Sequence, residues 1–257
     1  MCIVAWNWQP HGATPLLLLS NRDEFYARAA QPLHWWDDTA GQPKILAGKD
    51  LQAGGTWLGV SRSGRLAALT NYRTPEPVRT DTPSRGELVA NFLNNDVPAD
   101  SFLQQLALHA SHYNPFNLLV FDGRQLMGLE SRSARVLTLG PGIGAVSNAN
   151  FHTPWPKLTR LVRGLESQVA QGHSTASLLL PLLHDRHMAA DSELPHTGVP
   201  LPLERMLSAT FITSPTYGTR ACSVVAIQSK QVDFTEQIFG AEGLMGQSHQ
   251  QFVPRPP

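Results

Sequence analysis

Five short segments of this chain are apolar without alternation: Cys2 to Trp8, Pro15 to Leu19, Leu66 to Leu69, Asn117 to Phe121 and Cys222 to Ile227. A strand with one wet face alternates apolar and polar residues, so runs that do not alternate read as strands covered on both sides. Each such strand needs a layer above and a layer below. Thr56 to Arg62 and Arg65 to Asn71 are joined by Ser63-Gly64, which predicts a tight hairpin, so the sheet content is at least partly antiparallel.

Helical signals come in two pairs. Ser84 followed by Glu87 has the spacing of a capping box, and Leu88, Val89, Phe92 and Leu93 then recur at helical intervals until Asn94-Asn95. Asp100 is placed to cap the next helix, whose stripe is Phe102, Leu103, Leu106 and Ala110. The second pair starts at Thr153-Pro154 or Pro156 and carries Leu158, Leu161, Val162, Leu165 and Val169, with Gly172 as its stop. A shorter helix from about Ser174 to His184 follows, ended or kinked by Pro181. Two helix pairs can each cover one outer face, so two stacked sheets between two helix layers hide every apolar surface. A doubly wound parallel sheet would need helices alternating with strands, and they do not alternate. The expected fold is therefore α+β, a four-layer αββα sandwich, in a single domain over 1–257 with a frayed tail at 253–257. Pro32 to Pro43, Thr74 to Pro83 and His187 to Pro202 read as polar, Pro-rich loops that can rim a cleft.

Charge excludes further classes. Lys+Arg 20 balances Asp+Glu 20, giving a net charge of +0, so there is no summed basic field for nucleic acid or anionic lipid. No apolar run approaches the roughly 18 residues of a transmembrane helix. With only Cys2 and Cys222 there is no disulfide framework and no thiolate zinc spacing, and a cytoplasmic location is expected. No zinc-protease, phosphate-loop, serine-hydrolase or dinucleotide motif is present. His109 with His112, and His184 with His187, read as solvated surface histidines rather than metal ligands.

What remains is the position of Cys2. Removal of Met1 would leave a thiol and an α-amine on one residue, and an α-amine, which ordinarily titrates at about 7.7 to 8.0, can take the proton of a thiol that titrates at about 8.5. The competing reading is a small buried hydrophobe at the start of a strand. Ser20-Asn21-Arg22-Asp23-Glu24 brings polar groups directly after an apolar strand. There Arg22 could hold a thiolate or a substrate carboxylate and Asp23 could orient the α-ammonium, or the pair could simply close a strand end. Asn71 and Asn148 end buried strands, where an amide donor can face an oxyanion or shape a turn. Arg220 opens the last long strand and needs a partner, either substrate or Asp23.

Met1-Cys2-Ile3, Asn21 to Phe25, Gly54 to Gly59, Leu66 to Asn71, Gly86 to Val89, Asn117 to Leu119, Ser147-Asn148-Ala149 with Thr153-Pro154-Trp155, and Tyr217 to Arg220 together resemble the NRDE family, which includes the eukaryotic transport and Golgi organisation protein 2. The resemblance covers nearly the whole chain and implies the fold of the N-terminal nucleophile hydrolases, in the layout of the bile salt hydrolase and penicillin V acylase branch. It implies Cys2 as nucleophile, Asp23 beside its amine, Asn71 and Asn148 at the oxyanion, and Arg220 near the nucleophile. The branch's usual arginine, three residues before the aspartate, falls on Ser20; Arg22 is its expected substitute on a continuing strand. The activity implied is Cys2-dependent hydrolysis of a non-peptide amide, needing no cofactor and no metal. The family also implies alternatives: a non-catalytic carrier of haem, lipid or acyl-CoA in intracellular haem trafficking, or a factor in secretory and Golgi organisation. The expected partner is thus a small amide, acyl or haem ligand, with no nucleic acid.

Overall fold

The computed structural model describes residues 2–36 and 44–255. Its first half contains the strands β1 (Cys2–Trp8), β2 (Leu16–Phe25), β3 (Ala30–Trp35), β4 (Ile45–Asp50), β5 (Leu58–Ser61) and β6 (Leu66–Asn71), then helices α1 (Gly86–Leu93) and α2 (Ala99–Ala107). Strands β7 (Phe116–Phe121), β8 (Leu126–Glu130), β9 (Arg135–Thr138) and β10 (Gly142–Val146) follow. Helices α3 (Pro156–Ala170), α4 (Ala176–Leu183) and α5 (Leu201–Leu207) precede β11 (Tyr217–Ile227), β12 (Val232–Gly240) and β13 (Gly243–Phe252).

Two antiparallel sheets result. One has the order β10-β1-β2-β11-β12-β13 and the other runs β3 through β9 in sequence order. The unbroken apolar runs have the expected cause. On β1, Val4, Trp6 and Trp8 join Leu58, Leu66 and Leu119 in the core between the sheets, while Ile3 and Ala5 pack with Leu158, Leu161 and Leu165 of α3. On the far side Leu88, Val89 and Phe92 of α1 and Leu103 of α2 cover the outer face of the second sheet. The architecture is the four-layer αββα sandwich.

Local details differ from the sequence reading in several places. The Ser84–Glu87 capping box does not form: Ser84 accepts main-chain N–H groups, while the Glu87 carboxylate is taken by the Tyr113 hydroxyl at 2.7 Å. Asp100 does not cap α2 either, because Asp122, arriving from the end of β7, accepts the Ala99 N–H at 3.0 Å. A cap from across the fold is invisible to local spacing. The β5–β6 hairpin closes between Ser61 and Arg65, so three residues form the turn, with Gly64 at φ 84 supplying its left-handed position. Positions 32–35, expected as loop, are part of strand β3, Trp36 follows it outside any strand, and 37–43 of that expected loop lie outside the described residues. Pro181 lies inside α4 rather than ending it. Beyond β13, the Arg255 amide bonds the Arg62 carbonyl and Pro254 approaches Gly64; 256–257 lie outside the described residues.

The strand β2 does not stop where its residues turn polar. It continues through Asn21, Arg22, Asp23 and Glu24 to Phe25. Polar residues can stay in a buried strand when their donors find partners, and the Asn21 Nδ2 does so: it donates to the carbonyls of Leu183 and Thr210 at 2.8 and 2.9 Å. That tethers β2 to the end of α4 and to the chain before β11.

Candidate functional site

Cys2 begins β1, between β10 and β2, and its register partner is Arg22. Paired residues project to the same side of an antiparallel sheet. The thiol therefore leaves on the face of Val4, Trp6 and Trp8, toward the second sheet, where a cleft with about 100 Å3 of free volume opens. Cys2, Arg22, Asp23, Trp57, Asn71 and Arg85 are among its walls.

Arg22 is held from two sides. Its Nη2 donates to Asp50 at 3.1 Å, and its guanidinium carbon lies 4.5 Å from the centroid of the Trp57 ring. Asp50 also takes Arg28 Nε at 2.5 Å and the amides of Gln52 and Ala53 at 2.9 and 3.0 Å. Burial alone would raise the Asp50 pKa, but these donors outweigh it and hold the carboxyl below its ordinary value. Arg22 Nη1 has no hydrogen-bond partner among the described residues. Its Nη1 donors are thus left unused inside the cleft wall.

Asp23 projects to the opposite face of β2, toward the helix layer. Its Oδ1 accepts the Thr219 hydroxyl at 2.7 Å, its carbonyl accepts the Tyr217 hydroxyl at 3.0 Å, and its main-chain N–H reaches the Cys2 sulfur. Burial pushes the Asp23 carboxyl up, and the largest compensation is the ammonium of Lys157. Burial also pushes the Cys2 thiol up, so in the intact chain the sulfur rests protonated and needs a base to react.

Asn148 is fully buried, and its amide nitrogen donates to the carbonyls of Cys2 at 3.3 Å and Asn71 at 2.9 Å. Both amide protons are used on main chain, so this residue clamps the start of β1 to the end of β6. Asn71 itself lines the cleft. Ser147 adds a second hold on the Cys2 carbonyl at 3.2 Å.

Arg220 is not brought to the cleft. Its Nη1 donates to the carbonyls of Phe25, Tyr26 and Arg28 at 2.9, 3.1 and 3.0 Å, and its Nε to that of Phe239 at 3.0 Å. The cause is a register shift between Thr219 and Ala221, which makes Arg220 the extra residue of a bulge. Its partners are carbonyls, not Asp23. Of the six expected residues, Cys2, Arg22 and Asn71 line the cleft, Asp23 borders it with its carboxyl on the helix side, Asn148 braces it from behind, and Arg220 ties down the turn after β2.

Three further residues belong to the site and escape a reading of the sequence. Lys157 is only 1% exposed, and its Nζ lies 3.4 Å from Asn148 Oδ1. Its signal is present in the sequence: helix α3 from Pro156 places Lys157 four residues before Leu161, on the apolar stripe. Arg85 adjoins the Gly86-Glu87 motif, lines the cleft, and has no carboxylate partner among the described residues; its Nη1 bonds the Pro115 carbonyl at 3.0 Å. Asp50 ends β4 and nothing local marks it. The Gly55 position is dictated by closeness: a Cβ there would sit 2.4 Å from the Gly86 carbonyl carbon, so only glycine lets the segment before β5 touch the start of α1 at the cleft wall. Among the described residues no group of three or more His, Cys, Asp and Glu is placed to hold a metal, and no helix is long and apolar enough to cross a membrane.

Comparison with known proteins returns a match of residues 1–241 to the family model described as Transport and Golgi organisation 2. The Transport and Golgi organization protein 2 homologs of Bos taurus and Homo sapiens are 34% and 33% identical over 259 residues, each covering 92% of this chain and 92% of the relative. Similar solved structures include a Caenorhabditis elegans ortholog of N-acylethanolamine-hydrolyzing acid amidase, 10% identical with TM-score 0.44, covering 87% of this chain and 92% of that one. A mutant conjugated bile acid hydrolase from Clostridium perfringens is 8% identical with TM-score 0.49, covering 100% of this chain and 98% of that one.

Proposed function

The chain belongs to the Transport and Golgi organisation 2 family, and from that premise we propose that it is a Cys2-dependent hydrolase acting on a small non-peptide amide. The observation that carries this reading is the placement of Cys2. Of the two thiols, Cys2 alone lines a cleft, while Cys222 is fully buried against the helix layer with its thiol pushed far up by burial. Removal of Met1 would turn the Cys2 amide nitrogen into an amine next to that thiol. The amine takes the thiol proton, and the sulfur attacks the substrate carbonyl. In this reading the Asn71 amide and the positive charge of Arg22, both in the cleft wall, stabilise the oxygen on which negative charge develops. Collapse breaks the C–N bond, the proton passes to the leaving amine, and a thioester remains on Cys2. Water then cleaves the thioester, releasing the acid and restoring the thiol.

Intact mass and an acylating β-lactone probe test this reading. The expected result is a protein lacking Met1 that takes up one acyl group on Cys2, with no uptake in Cys2→Ala and unchanged uptake in Cys222→Ala. A protein that keeps Met1 and still captures the probe at full rate would overturn the self-activated thiol.

A carrier reading is favoured by one further observation. A second cavity of about 380 Å3, lined by Tyr72, Val78, Arg79, Tyr113 and Arg132, shares Arg85 with the Cys2 cleft. Pockets that hold drug-sized ligands run from about 300 to 1,000 Å3, so an acyl ligand fits the second cavity better than the first. For haem, among the described residues Cys2 is the one thiol in the cleft and no histidine lines it. Haem titration should show a saturable Soret shift that is lost in Cys2→Ala if the carrier reading is right, and a non-saturating rise if it is wrong.

A further inference from the structure

Helix α3 carries a lysine where its spacing calls for a leucine. Lys157, Leu161 and Leu165 succeed one another on one stripe, and all three are buried. A buried ammonium is retained only where something offsets its desolvation, and the hydrogen bond of Lys157 goes to a neutral amide, Asn148 Oδ1, rather than to a carboxylate. Its compensation comes from a surrounding set of groups. Asp23 on β2 supplies the main attraction, with a smaller contribution from Glu204 on α5; Arg73, after β6, opposes it. Tyr217 on β11 faces the same aspartate. Arg73 is itself paired with Glu204 and stacks on Trp155, the residue just before α3, at 4.6 Å. Desolvation pulls the Lys157 ammonium down to about 8.

Geometry adds a second role. An ammonium has three donors and no acceptor, so a Lys157 Nζ beside Asn148 fixes which end of that amide is the oxygen. The single Ser147 O–H is shared between the same Oδ1, at 3.1 Å, and the Cys2 carbonyl. The amide nitrogen is thereby turned onto the carbonyls of Cys2 and Asn71.

We infer that Lys157 is a positioning residue of the Cys2 site: buried as an ammonium on the Asp23 side of the sheet, it donates to Asn148 Oδ1 and so orients the amide that clamps the Cys2 and Asn71 carbonyls. The inference rests on Cys2 as the reacting group and takes the site further, because the nucleophile's strand would be anchored from helix α3 on the far side of the sheet. Lys157 is not a catalytic residue; it touches neither the cleft nor a substrate.

The test uses the full chain with 13C at the lysine Cε, in wild type, Lys157→Arg, Lys157→Met and Asp23→Asn. The resonance absent from Lys157→Arg should titrate near 8 in wild type and lower in Asp23→Asn, because the aspartate is its main attraction. Titration in the range of a free lysine, or indifference to Asp23→Asn, overturns the inference. β-Lactone capture at Cys2 should fall about tenfold or more in Lys157→Met and be partly restored in Lys157→Arg, which keeps charge and donors. A folded Lys157→Met that captures the probe at the wild-type rate also overturns it. If Lys157→Met does not fold, the Asp23→Asn titration decides. Absence of turnover in the wild type would sink the hydrolase reading and leave the titration result standing, so the two failures are distinguishable.

Discussion

Arg22 and Asp23 are neighbours in sequence and belong to different sides of the sheet. Pleating sends Arg22 into the cleft with Cys2 and Asp23 toward α3 and Thr219, so a motif that reads as one polar cluster serves two environments. That division is not legible in the sequence, where the first polar residues mark the end of a strand. It follows from period two once the strand is known to continue. Arg220 shows a different limit, since a single bulge residue redirects a side chain and no composition signal announces it. Asp50 is the partner that makes Arg22 useful. Asp50→Asn would weaken the bonds to two guanidinium groups and cost about 2 kcal/mol in urea unfolding at pH 7. Its folded pKa is depressed, so its stabilisation is present above its ordinary value of 3.8 and lost as pH falls through the lower folded value. The wild type and the variant should therefore converge in acid, and a difference that persisted there would rule out the ion pair as the cause.

Elements are easier to read than residues. The apolar stripe of α3 and the paired helices are legible because helical spacing and doubly buried strands each leave a strong periodic trace. Helix starts are read less completely: Ser84 does accept main-chain N–H groups before α1 but Glu87 does not reach back to it, and α2 takes its first contact from Asp122 rather than from Asp100. Leu165, fully buried in α3, packs over the outer face of the sheet that carries Cys2. Leu165→Ala should cost about 2 to 5 kcal/mol by denaturant unfolding. At the other helix layer Gly55→Ala would force the segment before β5 away from α1, costing about 2 kcal/mol or more and slowing probe capture at Cys2 by widening its wall. Loss of stability with unchanged capture would show that this contact does not shape the site.

At the scale of the molecule, a carboxyl group ties one sheet to the other. Glu236 on β12 accepts the Leu33 amide of β3 at 2.8 Å and the Ser223 hydroxyl at 3.3 Å, and it is 1% exposed. Burial pushes it from 4.5 up to about 7. A carboxyl raised on folding contributes stability that is complete below its unfolded value and is lost as pH rises through the folded one. Stability should therefore decline from about pH 4.5 to about pH 7 on account of this group, and Glu236→Gln should flatten that slope in pH-resolved thermal unfolding. An unchanged slope would assign the pH dependence to other groups. The position of Cys2 at the start of β1 has a practical corollary for anyone handling the protein. A purification tag fused ahead of position 2 would leave the Cys2 nitrogen an amide, so such fusions should not capture an acyl probe at Cys2. A tag appended after the edge strand β13 leaves the sandwich undisturbed.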